Sequence, residues 1–321
     1  MKYRKVLQNL FLIRKTEELI SKEYHKNIFR CPVHLSIGQE AISAAINFVF
    51  NSKDLAVSSH RAHAHYIGKG GNIKNMFAEI LGLKGCSAGV GGSMHLTDKS
   101  VGFISSSAIV GNSIPIGVGL SLSQKLENKK NLTLIFFGDG ATEQGVFYES
   151  INFSALKNLP SLFICEDNKY SVYSPLSVRQ PKKRELLKVV KKMGIQTIEV
   201  DGNNVFKVIK AYQQAKKYIT SKKKPFFIKF NTYRYVEHCG PYNDDNLNYR
   251  PNTEIKKWKK KCPILFFSSY LQKKKIMTSK QIFILEKKIE NNIYDLYKSS
   301  QNYPKPNFSK IKKLVYNEKS H

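Results

Sequence analysis

An aspartate between two glycines stands at the end of an apolar run that has the character of a buried strand. The stretch FFGDGATEQG, residues 136–145, contains this residue as Asp139. Asp-Gly is also a common turn dipeptide, so the stretch by itself fits either a turn or a ligand site. The next apolar run, SLFIC, leads into Asn168, about one βαβ unit of ~30 residues farther along the chain. We therefore expect both side chains at the ends of neighbouring strands, facing one pocket.

The side chains of Asp139 and Asn168 have the chemistry of a magnesium site. A carboxylate and an amide oxygen, with a backbone carbonyl nearby, are hard ligands of the kind that Mg²⁺ prefers. Phosphate oxygens complete such a site, and the glycines and the following helix N-terminus favour their approach. Other phosphate motifs fit poorly, since Glu143 stands where GxGxxG needs a glycine and GxxxxGK[ST] is absent. We expect Asp139 to hold a metal ion that in turn holds a diphosphate.

The elements that must position these residues alternate between strands and helices. Apolar runs predict strands at 131–137, 161–165, 195–200 and 225–233. Helical spacing predicts helices at 4–26, 145–158, 184–193 and 204–219. This alternation predicts an α/β fold with a doubly wound parallel sheet flanked by helices. We expect residues 1–251 to form that domain and residues 252–321 to form a peripheral helical extension of it.

The composition is that of a globular protein with a high positive charge. Lys and Arg number 53 against 24 Asp and Glu, which gives a formal net charge of +29. Because the lysines are scattered along the chain, we expect solvated faces and no nucleic-acid role. We find neither an apolar run near the ~18 residues of a membrane span nor a signal-peptide pattern. Five dispersed cysteines without CxxC favour reduced thiols, so we expect a cytoplasmic protein that does not enter the membrane.

Several ordered motifs resemble one family. The stretch GDGATEQGVFYESINFSALKNLP, followed by ICEDNKY, resembles the thiamine-diphosphate motif. More narrowly, the chain is similar to the α subunit of the E1 component of 2-oxo acid dehydrogenases, including pyruvate and acetoin dehydrogenases. The family's order is also kept by HLSIGQEA, SHRAHAHYIGKGG, GVGGSMH, IVGNSIP and TYRYVEH. The resemblance implies a thiamine-diphosphate-binding fold of the diphosphate-binding kind.

The resemblance implies roles for the residues around the GDG and EDNKY motifs. Asp139, Asn168 and the main-chain carbonyl of Tyr170 would bind Mg²⁺. Gly140 and Ala141 would line the diphosphate.

The resemblance also implies roles for residues of the Gly-, Ser- and His-rich region, which spans residues 53–125. His60 and Arg61 would hold phosphate oxygens, for which the forked guanidinium is well suited. Ala108 and Val110 would meet the aminopyrimidine, mainly through their backbone.

Two histidines match positions near the reacting groups of the family. His238 matches a loop histidine that reaches the diphosphate and the acyl group, and we expect it to be catalytic. His34 matches a position at the substrate pocket. We also expect a direct role for His63. The histidine set 34, 60, 63, 65 and 95 does not predict zinc, because HRAHAH has no Cys or carboxylate at ligand spacing.

The sequence departs from the family at a few positions. Asp167 replaces the first residue of the usual Asn-Asn pair, whereas the liganding Asn168 is kept. The loop YVEHCGPYNDD has Cys239 where some relatives carry a regulated serine. SSSA at 105–108 and YSVYSPLSVRQP also differ from the commoner runs. These changes affect the predicted substrate and regulation but leave the predicted cofactors, thiamine diphosphate and Mg²⁺, unchanged.

The resemblance implies partners as well as cofactors. The glutamate that activates the cofactor belongs to a β subunit in this family, so we expect an α₂β₂ heterotetramer that is inactive as the α chain alone. A lipoyl acyltransferase (E2) would accept the acyl group from a small 2-oxo acid, with pyruvate the leading substrate. Two alternatives stay open: a thiamine-diphosphate carboligase or transketolase-like subunit without a lipoyl partner, and a non-catalytic binding subunit.

Overall fold

A six-stranded, all-parallel sheet forms the centre of the computed structural model, which describes residues 2–309 and 311. Its strands are β1 Leu55–Ser58, β2 Phe103–Ser106, β3 Thr133–Gly138, β4 Ser161–Asp167, β7 Gln196–Asp201 and β8 Phe226–Asn231. A separate antiparallel hairpin pairs β5 Tyr170–Ser171 with β6 Ser174–Pro175. The order across the large sheet is β2-β1-β3-β4-β8-β7. The winding direction reverses between β1 and β3, and ligands of such sheets bind at the carboxyl ends beside this point.

Helices cover both faces of the sheet. In the first half of the chain they are α1 Lys2–Tyr24, α2 Glu40–Ala44, α3 Ile46–Val49, α4 His63–Lys69, α5 Ile73–Ile80 and α6 Ser113–Leu126. In the second half they are α7 Gly145–Leu156, α8 Leu176–Arg179, α9 Leu186–Lys192, α10 Val205–Lys222, α11 Asn252–Lys259, α12 Pro263–Lys273 and α13 Ser279–Ser300. Among the described helices, none combines the length and apolar content that crossing a bilayer requires.

Strand β3 shows how the apolar pattern builds two cores. Its side chains alternate between the faces of the sheet. Leu134 and Phe136 join the core that contains α1, α2 and α10 residues. Ile135 and Phe137 join the core on the other face, which contains α6 and α7 residues. A strand that is buried on both faces is continuously apolar, as this one is, and the predicted doubly wound parallel sheet is confirmed.

The predicted strands correspond to β3, β4, β7 and β8, but the sheet extends beyond them. β4 continues past the apolar run to Glu166 and Asp167, because these residues pair with Phe230 and Asn231 of β8. β1 and β2 lie in the Gly-, Ser- and His-rich region, for which we predicted no strand. Each has four residues, so its pairing with neighbours decides its conformation more than its own composition does.

Helices α12 and α13 pack onto the first helix. α13 lies along α1, where Tyr297 donates a hydrogen bond to Glu23 at 3.1 Å and Lys15 pairs with Glu286 at 2.8 Å. Ile289 and Ile293 of α13 belong to the same buried cluster as α1. The predicted boundary at residue 251 stays a prediction, and residues 310 and 312–321 of the predicted extension lie outside the described residues.

Candidate active site

Asp139 lies where β3 ends, at the carboxyl edge of the sheet. A short 3₁₀ turn over Asp139–Glu143 follows the strand, and α7 begins at Gly145. The Asp139 side chain is nearly buried, and Thr142 donates a hydrogen bond to its backbone carbonyl at 2.7 Å. Asp139, Gly140 and Ala141 all line one cavity at this edge.

The neighbouring strand β4 delivers Asn168 and Tyr170 to the same cavity. The chain turns sharply there, since Lys169 and Val172 have positive φ values of 72° and 52°. The Tyr170 backbone N–H donates to the side-chain oxygen of Asn168 at 3.2 Å, which fixes the turn. Non-glycine residues in this region of φ cluster at functional sites. The structure therefore brings the three predicted magnesium ligands together around one cavity.

Arg179 was absent from the residues that we predicted, yet it contacts Asp139 directly. Its guanidinium bridges the carboxylates of Asp139 and Glu143, and its Nε donates to the Ser174 carbonyl at 3.0 Å. Burial raises the pKa of Asp139 to about 6, with the nearby Asp167 carboxylate contributing and Arg179 opposing. The carboxylates of Asp139 and Glu143 attract a cation, and Arg179 is the cation that this chain itself supplies.

Arg61 also lines the cavity. One guanidinium nitrogen donates to the Leu35 carbonyl at 2.6 Å, and the other donates to the His238 carbonyl at 3.1 Å. In the part of the chain that the structure describes, Arg61 has no carboxylate within ion-pair distance. Burial lowers its pKa to about 10 and the positive charge of Arg234 contributes, whereas the more distant carboxylates of Glu17 and Glu166 oppose the shift. A buried guanidinium without a carboxylate in direct contact is suited to bind a phosphate group.

His34, His60 and His238 form one cluster beside Arg61. Their ring centroids are 4.6 Å apart for His34 and His60, 5.2 Å for His34 and His238, and 5.3 Å for His60 and His238. His34 follows α1, His60 follows β1, and His238 lies in the loop after β8. A backbone bridge between His34 and Gly240 holds the first and last of these segments together. His60 and His238 line the cavity, and His34 packs behind them.

His63 is not among the residues that line the cavity, and the expectation of a direct chemical role stays a prediction. Its ring is fully buried, and both nitrogens are engaged. Nδ1 lies 3.0 Å from a Glu17 oxygen and Nε2 lies 2.8 Å from the Ser93 hydroxyl. Because α4 begins at His63, the ring faces α1, and its contacts are those of a structural residue that joins α1 to the loop at Ser93.

The cavity lining also contains polar residues to which the sequence analysis assigned no role. His65 lies 2.8 Å from Glu166 and 2.8 Å from Ser58, and its ring stacks on Phe136. Gln39 donates to the other Glu166 oxygen at 3.0 Å. The run of polar residues that ends β4 is the signal that could have indicated Glu166, since a buried strand seldom ends in adjacent carboxylates.

Ala108 and Val110 lie at the rim. Val110 lines the cavity and is about half exposed, whereas Ala108 is partly buried and lies outside the lining. Ile109, between them, is 65% exposed. This apolar rim belongs to the loop that joins β2 to α6.

Sequence comparisons with known proteins identify relatives of this chain. A sequence model of the family described as "Dehydrogenase E1 component" matches residues 8–309. The pyruvate dehydrogenase E1 component subunit alpha of Rickettsia felis is 32% identical over 315 residues, which cover 98% of this chain and 95% of that protein. The mitochondrial E1 subunit alpha-1 of Arabidopsis thaliana is 30% identical, over 96% of this chain and 78% of that protein. The mitochondrial subunit alpha of Pisum sativum is 31% identical, over 96% and 77%.

The family match spans nearly the whole described chain, and the relatives share almost its full length. Together with the parallel sheet and the cavity at its carboxyl edge, these comparisons show that the chain belongs to the family of dehydrogenase E1 components and is similar to the pyruvate dehydrogenase E1 α subunits within it.

Proposed function

We propose that this chain is the α subunit of a thiamine-diphosphate-dependent 2-oxo acid dehydrogenase E1, with pyruvate as its substrate. The observation that carries the proposal is one cavity whose lining combines two chemically different sets of residues. Asp139 and Asn168 provide oxygen ligands, and His60 and Arg61 provide nitrogen donors. A metal–diphosphate group has this same division between cation and anion.

The residues fit Mg²⁺ by their chemistry. Asp139, Asn168 and the Tyr170 carbonyl would hold the ion, and Mg²⁺ completes an octahedron with water and phosphate oxygens. Burial beside Asp167 makes the Asp139 carboxylate costly to ionise in the free chain, and the charge of a bound cation would remove that cost. Magnesium supplies charge neutralisation for the diphosphate at this site.

Arg61 and His60 would bind and orient the diphosphate. Arg61 is held in place by two backbone carbonyls, so its remaining donors are oriented before a ligand arrives. His60 lies beside it and lines the same cavity. The chemistry that thiamine diphosphate supplies when bound is an electron sink for the decarboxylation of a 2-oxo acid.

His238 is the residue that we propose for proton handling during acyl transfer. Burial, together with the charge of Arg61, lowers its pKa to about 3, so the ring is neutral near pH 7 in the free chain. A diphosphate bound beside Arg61 would offset that positive charge and raise the pKa toward the range in which histidine exchanges protons. Arg61 holds the backbone carbonyl of His238 and thereby fixes where the ring is presented. His34 packs against this ring, and we propose that it borders the substrate.

The proposal includes two protein partners. The activating glutamate is expected from a β subunit in an α₂β₂ assembly, and the acyl group would pass to a lipoyl acyltransferase. Exposed apolar residues support a partner that covers this part of the chain: Ile109 precedes the lining residue Val110, and Val178 precedes Arg179, which contacts Asp139. The predicted cytoplasmic location stays a prediction.

Purification from native cells followed by mass spectrometry tests the partners. We expect a β subunit with a cofactor-activating domain and a lipoyl protein to copurify with the chain. The β subunit without a lipoyl protein would favour a carboligase, and the absence of both would refute the subunit proposal. In the reconstituted assembly, Asp139→Ala should abolish Mg²⁺-dependent binding of thiamine diphosphate, and unchanged binding would refute the metal assignment.

A further inference from the structure

The cluster of His34, His60 and His238 has the makings of a second metal site, separate in chemistry from the oxygen ligands at Asp139. Each ring offers one nitrogen, and the three atoms lie within 4.8 Å of one another. In the sequence these residues lie far apart, in three segments that only the fold brings together. For this reason the histidine-rich run HRAHAH alone did not indicate a ligand set.

The cluster also contains a nitrogen that the protein leaves without a partner. Nδ1 of His34 is buried and, among the described residues, has no hydrogen bond. A buried polar atom in this condition costs free energy, which a ligand could recover. This observation is independent of the spacing of the three rings.

We propose that His34, His60 and His238 bind a divalent transition-metal ion such as Zn²⁺ when the cavity holds no cofactor. Three histidines with one open position form a tetrahedral arrangement that Zn²⁺ adopts, with Zn–N distances of about 2.0–2.1 Å. The three nitrogens lie within 4.8 Å of one another, so the proposal requires the rings to move closer around the ion. The nearby Arg61 guanidinium opposes a cation, so we expect weaker binding than at structural zinc sites.

The selectivity of the two sites follows from their ligands. Imidazole nitrogens suit Zn²⁺, Co²⁺ and Ni²⁺, whereas the oxygens of Asp139 and Asn168 suit Mg²⁺. Millimolar Mg²⁺ should therefore leave the histidine cluster available. His60 and Arg61 line the same cavity, so a metal ion bound to the three histidines would lie next to the proposed diphosphate site at Arg61.

The test titrates Co²⁺ and then Zn²⁺ into the full-length chain, or into the assembly in which it is purified. The protein is first stripped with a chelator and kept in Mg²⁺ without thiamine or phosphate compounds. Co²⁺ reports tetrahedral nitrogen coordination by its visible absorption, and a chromophoric chelator reports Zn²⁺ affinity. We expect one equivalent to bind without the charge-transfer absorption that a thiolate ligand gives.

Variants assign the ligands. His60→Gln and His238→Gln should each weaken Zn²⁺ binding by at least about tenfold, since loss of even a supporting partner has an effect of 10–100-fold. His25→Gln, at an exposed histidine in the turn after α1, is the matched control and should bind like the wild type. Cys239→Ser tests the exposed thiol next to His238 and should also leave the affinity unchanged.

Three results would overturn the proposal. They are no Zn²⁺ binding by the wild type, wild-type Zn²⁺ affinity in both His60→Gln and His238→Gln, or loss of Zn²⁺ binding in Cys239→Ser. Circular dichroism of each variant shows whether a loss comes from unfolding. The two histidine variants lie in different segments, so one folded variant is enough to decide. These readouts do not depend on thiamine diphosphate or on activity, and so they are separate from the tests of the proposed function.

Discussion

Arg179 and Asp139 form a buried ion pair across the candidate metal site, between helix α8 and the turn after β3. The same guanidinium also binds Glu143, and Gln180 donates to that carboxylate at 2.7 Å. The hairpin β5–β6 and α8 are thereby tied to the strand end that carries the candidate metal ligand. A metal ion that binds Asp139 must therefore share the Asp139 carboxylate with the Arg179 guanidinium or displace that guanidinium.

The raised pKa of Asp139 predicts a measurable dependence of stability on pH. Because the folded-state value of about 6 exceeds the ordinary 3.8, the folded chain binds the proton more tightly than the unfolded chain. The stabilisation from that proton is present below about pH 4 and is lost as the pH rises through about 6. Relative to Asp139→Asn, the wild type should lose about 2 kcal/mol of unfolding free energy between about pH 4 and pH 7.

Urea unfolding of both metal-free proteins across this pH range measures the difference. Taking the difference removes contributions from all other titrating groups and from contacts that do not change with pH. Arg179→Gln is a useful companion, because Arg179 lowers the pKa of Asp139 and its loss should move the transition to higher pH. A constant difference between wild type and Asp139→Asn would contradict the prediction.

His238→Ala should separate two half-reactions of the proposed enzyme. The imidazole ring of His238, which is neutral near pH 7 in the free chain, is the group that we propose for proton handling during acyl transfer to lipoamide. Decarboxylation with an artificial acceptor does not need that proton transfer. We expect the lipoamide reaction of the reconstituted assembly to fall by about 10²-fold or more, and the artificial reaction to fall less. Equal losses in the two assays would argue against this role.

Substitution of His63 should affect stability before chemistry. His63→Leu leaves the buried Glu17 carboxylate and the Ser93 hydroxyl without their shared partner, and each unsatisfied group costs about 1–3 kcal/mol. Urea unfolding should show the loss, while the exposed His25→Leu should not. If His63→Leu kept wild-type stability and lost activity, the catalytic role that we first predicted would return.

Two glycines of α6 form a matched pair for packing against the sheet. A Cβ at Gly117 would lie 2.5 Å from Cγ1 of Ile135, whereas one at Gly119 would meet nothing within 4 Å. Gly117→Ala should therefore destabilise the isolated chain by about 1–3 kcal/mol. Gly119→Ala should stabilise it by about 0.5–1 kcal/mol, because alanine loses less entropy in a helix. Thermal unfolding checks both, and equal effects would show that α6 packs differently.

The sequence predicted those parts of the fold that local pattern determines. Strands β3 and β4 are long apolar runs buried on both faces, so their composition identifies them. β1 and β2 are short and lie among Gly, Ser and His residues, and only pairing with β3 and with each other makes them strands. The same limit applies to the extension of β4 through Glu166, which depends on β8.

The candidate site divides along the same line. Asp139 and Asn168 could be placed because each directly follows a recognisable strand, and parallel strands end at one edge. Arg179 could not, because it reaches Asp139 from a four-residue helix behind an irregular hairpin. Sequence spacing also says nothing about ring direction, and so we expected a direct role for His63, although the start of α4 turns its ring toward Glu17 of α1.

The packing of α13 on α1 has a consequence during synthesis of the chain. The first helix leaves the ribosome early, but the helix that completes its cover begins only at Ser279. At about 5–20 residues per second, the face of α1 that α13 covers waits roughly 10–50 seconds for its partner. Nascent chains should therefore present this surface to chaperones, and messages cut short before α13 should yield aggregates rather than a smaller working domain.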